Sequence, residues 1–193
     1  MKKLGRVLIA ALFLGLIHTV PATAEFFGVN ISNSNLYRID INMRVATLIG
    51  STGLANVIGL AVAIDGTIYT INESPSAQLW KLNPTTGAAT PVGPTGLSIH
   101  EGDMTIHPRT GPLYVAIGSP ERLYTVDKRT GAATLVGNTE HDVSGLTFVE
   151  NTLYGLALRD QGPDLLVQID ATRGDQNNWG NGDKFRVHCS HGL

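Results

Sequence analysis

The chain has 193 residues, 42% hydrophobic but only 6% aromatic, with 14 basic and 16 acidic side chains and a formal net charge of −2. No basic stripe interrupts that balance, which excludes phosphate-backbone recognition as the main task and predicts no nucleic-acid partner. Cys189 is the single cysteine, so no disulfide forms within the chain and stability has to come from packing.

Residues 1–24 read as an export signal. Lys2, Lys3 and Arg6 give a positive start, and Val7 to Ile17 is an apolar run of 11 residues, too short to span a bilayer as a helix. Ala22-Thr23-Ala24 supplies a small-x-small cleavage site, which predicts a mature chain starting at Glu25 and no membrane contact once the signal is gone. Its removal takes three basic residues and no acidic ones, leaving a net charge of −5.

Beyond the signal, Phe26 to Ile31 reads as a strand with no hairpin partner before it. Leu36-Tyr37-Arg38-Ile39-Asp40 follows, then Ala46 to Gly50. Arg44 stands where later repeats place a turn glycine, so a longer or differently shaped turn is expected there. Gly59 to Tyr69 then alternates apolar residues around Asp65-Gly66, a hairpin signal because glycine tolerates positive φ. Leu79 to Asn83 and Ala89 to Gly93 repeat the earlier pair, and Pro91 marks the latter as an outer, edge-like strand. Asp103 to Tyr114, Leu123 to Asp127 and Ala133 to Gly137 make a further set. Gly145 to Tyr154 and Leu166 to Asp170 open another.

The phrase Leu-Tyr-x-Ile-Asp and its variants start at residues 36, 79, 123 and 166. A spacing of 43 or 44 residues, built from short alternating strands, is the signature of a β-propeller blade. The fold class is therefore all-β: four-stranded blades in an incomplete propeller of about three and a half blades, or a closed four-bladed one. The repeats fill residues 25–174. Residues 175–193 lose the alternation, and the tail is read as a disrupted coding segment after Gly174 rather than a natural cap, because the break falls inside a blade.

Leu123 to Gly137 and Leu82 to Gly93 resemble a group of secreted bacterial β-propeller repeat proteins, over roughly residues 26 to 174. The chain also looks like the wider set of quinoprotein-like extracellular propellers, which includes pyrroloquinoline quinone dehydrogenases, lactonases and binding scaffolds. The resemblance implies fold and export. None of those families' cofactor or metal motifs matches here position by position, so no cofactor and no metal are expected.

The densest polar cluster is His100, Glu101 and Asp103, with His107 nearby; these residue types suit divalent ions, but a polar loop entering a strand explains them more simply. His141 and Asp142 occupy the corresponding loop of the next blade. If loops of one face converge, His100, Glu101, Asp103, His141 and Asp142 share a rim, with Asn56 from the blade before; this is the candidate ligand site. Ser144 is too close in sequence to His141 and Asp142 for a catalytic triad. Tyr37, Trp80 and Tyr124 recur once per blade and are assigned to packing between blades.

The expectation is an exported binding scaffold, more a non-enzyme than an enzyme, for a protein, small-molecule or carbohydrate ligand. The alternative is the remnant of a propeller hydrolase or dehydrogenase. Exposed edge strands also invite self-association. N-terminal sequencing of protein recovered outside the cytoplasm should begin at Glu25; an intact Met1 on that material would overturn the export signal.

Overall fold

The computed structural model describes residues 25–158 and 164–174. Both the export signal and the tail at 175–193 lie outside the described residues. Within them every regular element is a β-strand. The first sheet is β1 (Phe26–Asn30), β2 (Asn35–Asp40) and β3 (Val45–Ser51). The second is β4 (Val57–Val62), β5 (Ile68–Asn72), β6 (Gln78–Leu82) and β7 (Ala89–Pro94). The third is β8 (Gly102–Ile106), β9 (Leu113–Ile117), β10 (Arg122–Val126) and β11 (Ala133–Asn138). The fourth is β12 (Asp142–Val149), β13 (Thr152–Leu158) and β14 (Leu165–Ile169). Each sheet is an antiparallel meander in chain order, so the expected sequence of one partial, two full and one partial blade is what forms. This is an incomplete β-propeller.

Stacking explains the recurring phrase. β9 is buried along its whole length: Leu113, Val115 and Ile117 pack toward the second sheet, while Tyr114 and Ala116 pack toward the fourth. The Leu of the repeat faces the following sheet. Leu36, Leu79 and Leu123 are 0% exposed, whereas Leu166 in the fourth sheet is 43% exposed. The branched residue three positions later faces the preceding sheet. Leu82, Val126 and Ile169 are buried, and Ile39 in the first sheet is only half-buried. Burying one such side chain stabilises by about 1.5–3 kcal/mol, so each sheet depends on its neighbours for its apolar faces. Tyr124 joins this packing as expected. Trp80 is half-buried and donates its indole N–H to Asn72 within its own sheet, at 3.2 Å.

The Asp or Asn that ends the phrase builds the next turn. Asn83 Oδ1 accepts N–H groups of Thr85 and Thr86 at 2.8 and 3.0 Å, and Asp127 Oδ1 those of Arg129 and Thr130 at 2.7 and 3.0 Å. Four residues on, Gly87, Gly131 and Gly174 take φ of 79°, 83° and 82°. Arg44 takes φ 57° at the same place, after Asp40 Oδ1 has accepted Asn42 and Met43 N–H at 2.9 Å. The turn at Arg44 is therefore of the same kind as the others, not longer or reshaped as the sequence suggested. Among the described residues no earlier sheet packs there, so a side chain has room.

Elsewhere it has none. Gly87 meets the carbonyl of Gly50 in the preceding sheet: a Cβ on Gly87 would lie 2.6 Å from that oxygen. Gly131 meets Gly93 and Gly174 meets Gly137 in the same way. Beside these contacts Ala89 N–H donates to Thr52 O at 3.2 Å and Ala133 N–H to Thr95 O at 3.1 Å, so backbones of adjacent sheets are bonded directly. The outer strands β3, β7 and β11 carry a one-residue bulge at Ile49, Val92 and Val136, and Pro91 lies on the open side of β7.

Gly111→Ala should cost about 1–2 kcal/mol, because φ is 77° but a Cβ would meet only the flexible end of Lys128. Gly131→Ala should cost about 3 kcal/mol or more, since backbone contact adds to the strain. Arg44→Gly should gain about 1 kcal/mol. Urea denaturation reads all three, and equal losses at Gly111 and Gly131 would contradict the glycine interlock.

Candidate functional site

Because each sheet is an antiparallel meander, its loops divide between two faces. One face carries the loops that lead into β4, β8 and β12 (residues 52–56, 95–101 and 139–141) together with the β1–β2, β5–β6 and β9–β10 connections. The opposite face carries the β4–β5 and β8–β9 hairpins and the Asp/Asn turns. His100, Glu101, His141 and Asn56 lie in the first set of loops, with Asp103 and Asp142 at the starts of their strands. His107 lies on the other face. Its Nδ1 accepts Arg109 and Thr110 N–H at 3.2 and 3.3 Å, and its ring lies 4.7 Å from that of Phe148. An imidazole there does the turn-closing task that carboxylates and amides do elsewhere.

Asp103 is a clamp between sheets. Oδ1 accepts Met104 N–H and Oδ2 accepts Leu146 N–H in the fourth sheet, each at 2.8 Å. Burial pushes its carboxyl above the ordinary value, while the two N–H bonds pull it down. Gly59, at the equivalent position in β4, takes φ 62°, and a Cβ there would lie 2.8 Å from Asp103 Oδ1. The missing side chain leaves space for the carboxylate of the next sheet.

Asp142 forms the second feature. Burial raises its carboxyl first, then the negative charges of Glu101 and Glu121 and a hydrogen bond with the Glu101 carboxyl. Its Oδ1 is buried without a partner among the described residues and presses on the bare Cα of Gly118. Gly118 N–H in turn donates to Glu101 O at 3.2 Å. The fold thus brings Glu101 and Asp142 together and adds Glu121, which the sequence reading missed. Only the β9–β10 connection brings Glu121 to this face, and nothing in its local sequence signals that. His100 is exposed and His141 half-buried, and among the described residues no three His, Cys, Asp or Glu side chains converge as metal ligands. Asn56 is exposed, with its carbonyl accepting Glu73 N–H at 2.7 Å.

A cavity of about 350 Å³ opens against the starts of the inner strands. Val57, Ile58, Gly59 and Leu60 of β4, Gly102 and Asp103 of β8, and Ser144 of β12 line it, with Val29 and Ile31 closing one side. Ser144 is the bulge residue of β12. The walls are mostly apolar, and among the described residues that line them Asp103 alone carries a charged group.

No protein-family model and no curated protein sequence matches the chain. Solved structures resemble it in fold. The PQQ-bound aldose sugar dehydrogenase of Streptomyces coelicolor is 15% identical with a TM-score of 0.61, the match covering 83% of this chain and 60% of that one. A chain of the nidogen/laminin complex is 12% identical, TM-score 0.62, covering 84% and 59%. TolB of Acinetobacter baumannii is 12% identical, TM-score 0.55, covering 79% and 39%. The chain spans about half the length of these proteins. At such identities the likeness carries the β-propeller fold and nothing further.

The carboxylates of the two faces titrate in opposite senses. Hydrogen bonds from the Thr172 hydroxyl and N–H hold Asp170 down to about 2, and N–H donors hold Asp127 low. A folded value below the unfolded one, about 3.9, gives a contribution that is whole above about pH 4 and lost as pH falls toward 2. Asp103 and Asp142 are raised, so their contribution is whole below about pH 4 and lost as pH rises through their folded values. Asp142→Asn should therefore raise the thermal midpoint at pH 7 and leave it unchanged at pH 3. Equal shifts at both would mean that packing, not charge, is responsible.

Proposed function

We propose that this chain is an exported, non-enzymatic binding scaffold that takes a small-molecule, carbohydrate or protein ligand on the face bearing Glu101, Asp103 and Asp142. The single observation that carries the reading is the open cavity at the starts of β4, β8 and β12, with Asp103 on its wall. An apolar pocket with a few convergent polar groups is the usual form of a small-ligand site. Glu101, Glu121 and Asp142 add negative potential to that face, which favours a cationic or hydroxyl-rich ligand over an anionic one. His100 and His141, from the same loops, extend the rim. Export is supported by the positive, apolar and small-residue pattern of residues 1–24, and no described helix is long and apolar enough to cross a membrane.

Glycan and peptide arrays probed with the purified chain test the binding face. Glu101→Gln and Asp142→Asn should each weaken captured ligands at least tenfold, while Asp127→Asn on the opposite face should not. Signals indifferent to Glu101 and Asp142 but sensitive to Asp127 would move the site to the other face. Stoichiometric zinc or calcium in the purified protein, with turnover of an ester, lactone or sugar, would replace the scaffold by an enzyme.

A further inference from the structure

A second cavity, of about 430 Å³, opens on the outer side of the stack, where the second sheet meets the third. Lys81 of β6 and Thr90, Pro91 and Val92 of β7 form one wall, and Lys128 and Arg129, from the turn between β10 and β11, form the other. The chain is described without a break from 25 to 158, so the strands and turns on both sides of this cavity are complete.

The wall carried by the turn is fixed in advance. Asp127 Oδ1 accepts Arg129 and Thr130 N–H at 2.7 and 3.0 Å, and Gly131 is seated on Gly93 at the end of β7. On the other wall Lys81 stands opposite Thr90 and Tyr69, with Nζ 5.7 Å from the centre of the Tyr69 ring. The combination is specific to this junction. The repeat places Arg38, Thr125 and Gln168 where Lys81 stands, and Pro84-Thr85 and Ala171-Thr172 where Lys128-Arg129 stand. The junction of the first and second sheets thus combines Arg38 with Pro84 and Thr85, and Arg38 pairs with Glu25 at 3.5 Å. The junction of the third and fourth combines Thr125 with Ala171 and Thr172, none of them charged.

Three cations therefore share one cavity, and among the described residues none of the three is in a salt bridge. Asp65 lies near Lys128 and Asp127 near Arg129, each held below its ordinary value first by hydrogen bonds and then by that cation. Neither acid lines the cavity, and both give Oδ1 to backbone N–H groups of their own turns. Like charges gathered in this way repel, and an anion set among them relieves the repulsion. The lysines supply point charges, while the planar guanidinium of Arg129 matches two oxygens of one oxyanion. Thr90 adds a hydroxyl donor, and Pro91 and Val92 an apolar surface.

We propose that this cavity is a second ligand site, for an oxyanion group carried on a small molecule: a phosphate, a sulfate ester or a carboxylate, held by Lys81, Lys128 and Arg129. It lies apart from the cavity at Asp103 and the rim of Glu101 and Asp142, takes a ligand of the opposite charge, and stands or falls without them.

The test is isothermal titration calorimetry of the full chain with inorganic pyrophosphate, sulfate and citrate at physiological ionic strength. Saturable one-to-one binding of at least one probe is expected, and the tightest of the three identifies the charged group of the ligand. Lys81→Gln, Lys128→Gln and Arg129→Gln should each weaken it roughly tenfold, the loss that follows from removing one charged hydrogen bond. Arg129→Lys, which keeps the charge and loses the fork, should recover only part. Arg44→Gln makes the same change in net charge on the turn of the first sheet and should leave binding unchanged. Should a variant fail to fold, amide resonances of the unmodified chain decide: the bound probe should move Thr90, Val92 and Arg129 and leave Glu101 and Asp142 in place. Absence of binding by all three probes overturns the proposal. So does a loss at Arg44→Gln equal to that at Lys128→Gln, or a resonance shift confined to Glu101 and Asp142.

Discussion

Two backbones meet at close range only where neither carries a side chain, and this chain arranges that meeting between every pair of successive sheets. Gly50 meets Gly87, Gly93 meets Gly131, and Gly137 meets Gly174. One member of each pair closes an outer strand and the other closes the next turn of the same kind, so the two lie 37 or 38 residues apart, short of a whole repeat by the few residues between that turn and the end of its outer strand. The turn partner also needs positive φ, which glycine adopts without strain. From this contact follow the angle at which each sheet sits on the last, the backbone bonds from Ala89 and Ala133, and the burial of the repeat's leucine. The same logic explains Arg44. With no described sheet before the first, the steric demand lapses and only the φ demand remains.

The division of loops between faces follows from the meander. On one face the carboxylates serve the fold: Asp40, Asp127 and Asp170 close turns by accepting N–H groups, and the bonds in those turns favour the charged form of Asp127 and Asp170. On the other, burial disfavours the charge of Asp103, and burial together with the neighbouring acids Glu101 and Glu121 disfavours that of Asp142. Spending stability on ionised groups is common where a surface has a task beyond folding, which is why the second face is the one assigned to a ligand. Asp103 qualifies that contrast. It also fastens Leu146, so part of its cost is returned as a clamp between the third and fourth sheets.

Much of this was legible in the sequence. The spacing of the phrase gave sheets, strand order, the two partial sheets and the outer position of Pro91, because strands alternate and turns use a small set of residues. It also placed Glu101 and Asp142 in equivalent loops, and the structure sets their carboxyls side by side. The rest needs three dimensions. Glu121 joins the acids only through the β9–β10 connection, Gly118 meets Asp142 only in the fold, and the bond from Leu146 N–H to Asp103 spans 43 residues of chain. His107 needs the fold too: its residue type suits a divalent ion, and only the structure shows its imidazole closing a turn by accepting the N–H groups of Arg109 and Thr110.

The ends of the stack show what a neighbour contributes. Leu36, Leu79 and Leu123 are sealed by the sheet that follows, and Leu166, which no described sheet follows, is 43% exposed. An open end in a stack of this kind is ordinarily the first part to fray, since its stability comes from one interface instead of two. The fourth sheet is fastened against that at both radii, by Asp103 on Leu146 near the axis and by Gly137 against Gly174 at the rim.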